Sequence, residues 1–125
     1  MNYIYVGIGG FVGAVLRYVI SITLMNEQMN FPFATLIVNV TGSFLLTYTT
    51  FYLFEKYAVS QAIKLALTTG LLGSFTTFSS LSVEVVTLLA SDQYLVTILY
   101  IFASLLGGIF MAYLGYLCHK KVLFK

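Results

Sequence analysis

Four apolar runs, each long enough to cross a lipid bilayer and parted only by short polar turns, leave this chain few folds to choose from. A helix needs about 20 mostly apolar residues to span the hydrocarbon core. The runs cover about 3–25, 32–54, 61–90 and 95–118. Between them lie Asn26-Glu27-Gln28-Met29-Asn30, Glu55-Lys56-Tyr57 and Ser91-Asp92-Gln93. Of the 125 residues 60% are hydrophobic and 8% charged, where a soluble domain carries about a quarter charged. The expected class is therefore an all-α integral membrane protein, with 1–125 forming a single four-span domain. Pro32 stands at the start of the second run, where proline does least harm. The first run lacks a basic leader and a small-residue cleavage site, so it reads as a retained span.

Other classes find little support. A net charge of +2 gives no basic patch for nucleic acid. Cys118 is the lone cysteine, which excludes an intramolecular disulfide and any multi-cysteine zinc site, and His119 beside it lacks partners at ligand spacing. No nucleophile, metal cluster or phosphate loop argues for an enzyme. Charge does speak to orientation. With four spans, the amino terminus, the 55–60 connector and the tail share one side. That side carries Lys56, Lys64, Lys120, Lys121 and Lys125, while the turns at 26–31 and 91–94 carry no cation. The positive-inside rule puts both termini in the cytoplasm of a multi-pass protein of the bacterial plasma membrane.

Polar residues recur inside the spans at helical spacing. Thr35, Asn39, Gly42, Ser43, Thr47 and Thr50 share one face of the second. Small and hydroxyl residues let membrane helices approach and bond, which suffices for Gly42 and Ser43. The Asn39 amide needs partners in a medium that supplies none, so it is either interhelical glue or part of a wet pathway. In the first span Gly10, Gly13, Ala14, Arg17 and Ser21 align, with Gly9 four before Gly13. The glycines read as packing residues. Arg17 is costly in hydrocarbon; it either snorkels to the outer interface or sits at the mouth of an anion path. The fourth span aligns Tyr100, Ser104, Gly107, Gly108, Ala112 and Gly115, mostly a packing face.

The third run is the longest and the most polar at its middle. Gly70 and Gly73 precede the stretch GSFTTFSSLSVE, 73–84, which holds Ser74, Thr76, Thr77, Ser79, Ser80 and Ser82. Hydroxyls compensate backbone groups freed where a membrane helix breaks. The ends of broken helices expose carbonyls and amides that suit ions of opposite sign. The third helix is thus expected to break near its middle, either as a kink with satisfied hydroxyls or as an ion site. Glu84 lies four residues after Ser80 on the same face; it is either an intramembrane carboxylate that points to function or, near a span end, a simply solvated one.

These residues resemble a known family. Gly9-Gly10, Gly13-Ala14 and Arg17-Tyr18 look like the first-helix signature of the Fluc or CrcB fluoride channels. Thr35-Leu36-Ile37-Val38-Asn39 with Gly42-Ser43-Phe44 resembles their second helix. Thr68-Thr69-Gly70 followed by GSFTTFSSLSVE resembles their third, the most specific segment. The resemblance implies an antiparallel dimer of four-helix subunits with two narrow pores, passive export of cytoplasmic fluoride, and a structural sodium ion at the dimer centre. It puts sodium on the backbone carbonyls of Gly73 and Thr76, oxygen ligands suited to a hard cation. It makes Asn39 an amide donor to fluoride and turns the positive ring edge of Phe78 towards the anion, with Ser79, Ser80 and Ser82 as hydroxyl donors nearby. Arg17, Glu84, Leu81, Tyr100 and Ser104 fall at family positions to which no step in conduction is assigned.

The chain also departs from the family. A second phenylalanine is usual three residues after the first; here Leu81 occupies that position. The fourth helix offers Ser104 but then Gly108 and Ala112 on its face. Together with the lysine bias, which opposes insertion in both orientations, this favours a heterodimer with an oppositely oriented homologue over a homodimer. A non-conducting structural subunit of such a channel is one alternative. Another is a proton-coupled exporter of the small multidrug resistance type, which needs a carboxylate central to its first helix; this first helix has none.

Overall fold

The computed structural model describes residues 2–24 and 31–123, the side chains of 119–123 excepted. The polar turn at 26–30 and the side chains of the basic tail, Lys120, Lys121 and Lys125, lie outside the described residues. In hydrocarbon every backbone N–H and C=O must bond within its own segment, and the described residues are helical in all four apolar runs, with no strand among them. Four helical stretches are long and apolar enough to cross a membrane: Asn2–Leu24, Phe33–Lys56, Gln61–Ala90 and Tyr94–Cys118.

The first is a single helix, α1 (Asn2–Leu24). The second starts as α2 (Phe33–Tyr48) directly after Pro32, widens into a π-helical segment, Thr49–Leu53, and ends in α3 (Phe54–Lys56). The third begins as α4 (Gln61–Leu65), widens into a second π segment, Ala66–Leu72, and continues as α5 (Gly73–Phe75). Thr76 (φ −73°, ψ 155°) and Thr77 (φ −147°, ψ 125°) are extended, and α6 (Phe78–Ala90) follows. A turn at 91–93 leads into α7 (Tyr94–Leu123). In that turn Gln93 N–H donates to the Leu88 carbonyl at 3.0 Å and Asp92 N–H to that of Leu89 at 3.1 Å. This pairing closes a helix around a left-handed residue, and Asp92 (φ 57°) supplies it.

Packing runs in two pairs. The most extensive contact joins α2 to α7, and the next joins α1 to the Ala66–Leu72 segment. Glycines make the second pair possible. A Cβ at Gly9 would fall on the Ala66 carbonyl, one at Gly13 on the Leu71 carbonyl and Ser74 hydroxyl, and one at Gly70 within 2.6 Å of the Val6 carbonyl. Gly10 is less crowded, its nearest neighbour being the Gly70 carbonyl at 4.0 Å. The closest approach therefore belongs to Gly9 and Gly13, spaced four apart. In the other pair Gly115 would carry a Cβ 2.7 Å from the Phe44 carbonyl, and Gly107 and Gly108 face Val40 and Ser43.

The first π segment shifts the polar face of the second span. A π turn adds a residue per turn, and Thr49 becomes the buried threonine while Thr50 is exposed, its hydroxyl donating to its own helix at Leu46. The expected alignment thus ends at Thr47. Few large side chains are enclosed: Val38, Leu72, Phe75, Leu88 and Tyr100 form the buried apolar set. Phe11 (71% exposed) and Leu95 (71%) are among many apolar side chains facing outward. Apolar exposure on this scale marks a lipid or protein interface, which suits a membrane protein.

Candidate functional site

The extended step at Thr76 and Thr77 is held from both sides. From α2, the Asn39 amide clasps Thr77: Nδ2 donates to the Thr77 carbonyl at 2.9 Å, and Oδ1 accepts from the Thr77 N–H at 2.8 Å. From α1, Arg17 Nε donates to the Ser74 carbonyl at 3.1 Å, and the Ser74 hydroxyl donates to the Gly10 carbonyl at 2.8 Å. Thr77 also caps α6, its hydroxyl oxygen accepting from the Ser80 N–H at 3.2 Å. Threonine just before a helix suits this role, because it satisfies an otherwise orphaned amide.

These bonds redistribute backbone partners. In an uninterrupted helix each N–H pairs with the carbonyl four residues earlier. The Thr77 N–H would serve Gly73 but goes to Asn39; the Ser80 N–H would serve Thr76 but goes to the Thr77 hydroxyl. The carbonyls of Gly73 and Thr76 thereby lose their helical donors. The Ser74 carbonyl, whose partner would be Phe78 N–H, takes the arginine instead. Gly73 is exposed and Thr76 half-buried, with its hydroxyl donating to the Leu72 carbonyl at 3.0 Å.

Beside the step lies an open groove of about 300 Å³, lined by Asn39, Gly42, Ser43, Leu46, Thr76, Thr77, Phe78 and Leu81. Gly42 admits the step to α2, since a Cβ there would meet the Thr76 methyl and, at 3.3 Å, the Phe75 ring. Phe78 is 82% exposed. Leu81 lies on the same groove. Of the serines, Ser79 shares a hydrogen bond with the Thr77 hydroxyl at 3.2 Å, and Thr77 donates to Ser80 Oγ at 3.1 Å. Ser82 donates to the Phe78 carbonyl at 2.9 Å. The Ser82 proton is thus engaged within its helix.

A second polar centre sits farther along α6. Glu84 is not solvated at a span end: it is half-buried, and both its oxygens are bonded. Oε1 accepts from the Thr35 hydroxyl and Oε2 from the Tyr100 hydroxyl, each at 2.6 Å. Tyr100 is fully buried, with the Phe31 ring meeting it edge-on at a centroid distance of 5.5 Å. One turn beyond, Ser104 Oγ is buried without a hydrogen-bond partner.

The CrcB family pattern, described as "CrcB-like protein, Camphor Resistance (CrcB)", matches residues 4–116. The chain belongs to the CrcB family. Among its relatives, the fluoride-specific ion channel FluC 1 of Desulfitobacterium hafniense (strain Y51) is 44% identical over 110 residues, which is 88% of this chain and 96% of that one. The fluoride-specific ion channel FluC of Chlorobium chlorochromatii (strain CaD3) is 42% identical over 110 residues, 88% of this chain and 85% of its own. The FluC 2 protein of Geobacillus kaustophilus (strain HTA426), also named a fluoride-specific ion channel, is 42% identical over 117 residues, 93% of this chain and 91% of its own.

In this CrcB chain the structure brings Asn39, Phe78, Thr76 and Leu81 onto one groove, and groups Glu84 with Tyr100 and Thr35. Gly73 lies just before the step, while Ser79 and Ser80 gather on the Thr77 hydroxyl. Thr77 carries more of the site than its place among six hydroxyls suggested. Its signal was positional: a threonine one residue before the apolar run Phe78, Leu81, Val85 and Leu88 is a helix-capping pattern.

Proposed function

We propose that this chain is a subunit of a fluoride-selective channel for passive export of cytoplasmic fluoride. The observation that carries the reading is the diversion of the Thr77 and Ser80 amides at the extended step, in a chain whose relatives are named fluoride-specific ion channels. The extended residues Thr76 and Thr77 support reading this step as the break expected in the third helix. The freed carbonyls of Gly73 and Thr76 fit a structural sodium ion, because backbone oxygens suit a hard monovalent cation. When bound, sodium would supply a fixed positive charge, held by the carbonyls of Gly73 and Thr76.

Fluoride is small and tightly hydrated, so a pore must exchange its water for donors that bind without trapping it. Asn39 holds Thr77 with one amide hydrogen and retains a second. Ser80 keeps a hydroxyl proton, the exposed Phe78 offers ring edges, and the unpartnered Ser104 hydroxyl is a further donor. Ser79 contributes at the same end of α6, and Ser82 does so by exchanging its bond to the Phe78 carbonyl.

Both termini are cytoplasmic in this reading. Lys56 supports it: Nζ bonds the Tyr52 hydroxyl at 2.8 Å and stands 5.6 Å from the Tyr57 ring centroid, while Lys64 lies 5.3 Å from that of Phe54. Lysine among aromatics is an interfacial anchor. A chain so firmly oriented pairs with an oppositely oriented homologue, giving a heterodimer. The test is fluoride efflux from sodium-containing liposomes, with this chain alone and with a homologue whose cations lie on the opposite loops. Efflux from the pair alone is expected; robust efflux from this chain alone would sink the obligatory partner, and no fluoride efflux from either would sink the channel reading.

Leu81 on the groove favours one second reading, a subunit that supports its partner without conducting. Leu81→Phe is expected to raise fluoride flux severalfold in the assembled channel. Flux that ignores both this change and Phe78→Ala would favour the purely structural role.

A further inference from the structure

The carbonyls that lose their helical donors at the step do not share one fate. Those of Gly73 and Thr76 are left open, whereas that of Ser74, between them in sequence, is taken by Arg17 Nε at 3.1 Å. The arginine is half-buried and comes from α1, which the Gly9 and Gly13 contacts hold against the third span. Ser74 is fixed a second time through its hydroxyl on the Gly10 carbonyl. Arg17 thus docks its Nε on backbone oxygen.

A guanidinium keeps its charge under all ordinary conditions. Docked on Ser74, it is a permanent cation one peptide unit from the Gly73 carbonyl. We infer that Arg17 is a specificity-determining residue of the cation site, capping the Ser74 oxygen and biasing the open pair towards monovalent ions. The inference rests on the sodium reading given above. Its logic is that repulsion grows with the charge of the bound ion. A divalent ion feels one more unit of repulsion than sodium, which at about 8 Å and an effective dielectric near 20 disfavours it by roughly tenfold or more. With the arginine absent, the Ser74 carbonyl becomes available beside those of Gly73 and Thr76, which favours calcium, an ion that gathers six to eight oxygens.

Binding of radiolabelled sodium and calcium to the purified, assembled channel tests this without reading flux. Wild-type channel, Arg17→Lys and Arg17→Gln are compared. Glutamine retains a donor for the Ser74 carbonyl but no charge, so a role limited to tying α1 to the third span would leave ion preference unmoved. The expected result is that Arg17→Gln strengthens calcium binding relative to sodium by about tenfold or more, while Arg17→Lys keeps the wild-type ratio. An unchanged ratio in Arg17→Gln overturns the inference. Should that variant not assemble, Arg17→Met, neutral and of similar length, decides it by the same ratio. Wild-type channel that binds no sodium overturns the sodium reading itself, and this inference with it.

Discussion

Up to Leu72 the third span lies against α1 backbone to backbone, with Gly9, Gly13 and Gly70 removing the side chains between them. Beyond Thr77 the same span is tied in by side chains: Glu84 bonded to Thr35 and Tyr100, and Leu88 as the buried residue of α6. Its other side turns Phe78, Val83 (65% exposed) and Val86 (64% exposed) outward. The first half has no room to change. The second has traded close packing for polar contacts and an open face.

Substitution at the glycine seam should break the first half outright. Gly13→Leu drives a side chain into the Leu71 carbonyl and Ser74 hydroxyl. Because rigid backbone cannot yield, the cost exceeds the ordinary overpacking range of about 1–3 kcal/mol. Size-exclusion chromatography in detergent should find little monodisperse protein. Val83→Leu on α6, also an enlargement, should elute as wild type.

The next effect falls on the joint between the halves. Asn39→Ala removes both bonds to Thr77 and is expected to destabilise by about 2–3 kcal/mol, read as a lowered melting midpoint in detergent. An unmoved midpoint would mean that α2 does not hold the step. Smaller still is the loss of one Glu84 partner. Tyr100→Phe leaves Oε2 without its hydroxyl, about 1–3 kcal/mol. In a double-mutant cycle with Glu84→Gln the two changes should be non-additive, and additivity would separate the tyrosine from the carboxylate.

Much of this could be read from the chain. The four spans were legible because a bilayer accepts few alternatives to long apolar helices, and Asn39 and Glu84 stood out as polar groups with no obvious partners. Other features depend on distant pairings. That Thr77 is the residue Asn39 clasps is a relation across 38 positions, and no local pattern encodes it. The sequence left Glu84 either functional or solvated near a span end; Thr35 and Tyr100, approaching from two other helices, bond both its oxygens. Thr49 replaced Thr50 on the inward face because helical spacing assumes an α-helix, and a π turn breaks that count. Gly9 and Gly10 were indistinguishable until the carbonyl of Ala66 lay against one of them.

The two-sided hold on the extended step also bears on how the chain is made. Arg17 and Asn39 belong to the first and second spans, which leave the ribosome before the third. Because synthesis runs from the amino terminus, both clasps of the third span are made before it, and it need never exist in the membrane as one straight helix. Glu84 has a different history. Thr35 is waiting for it, but Tyr100 arrives only with the last span, leaving the carboxylate half-covered until synthesis is nearly finished.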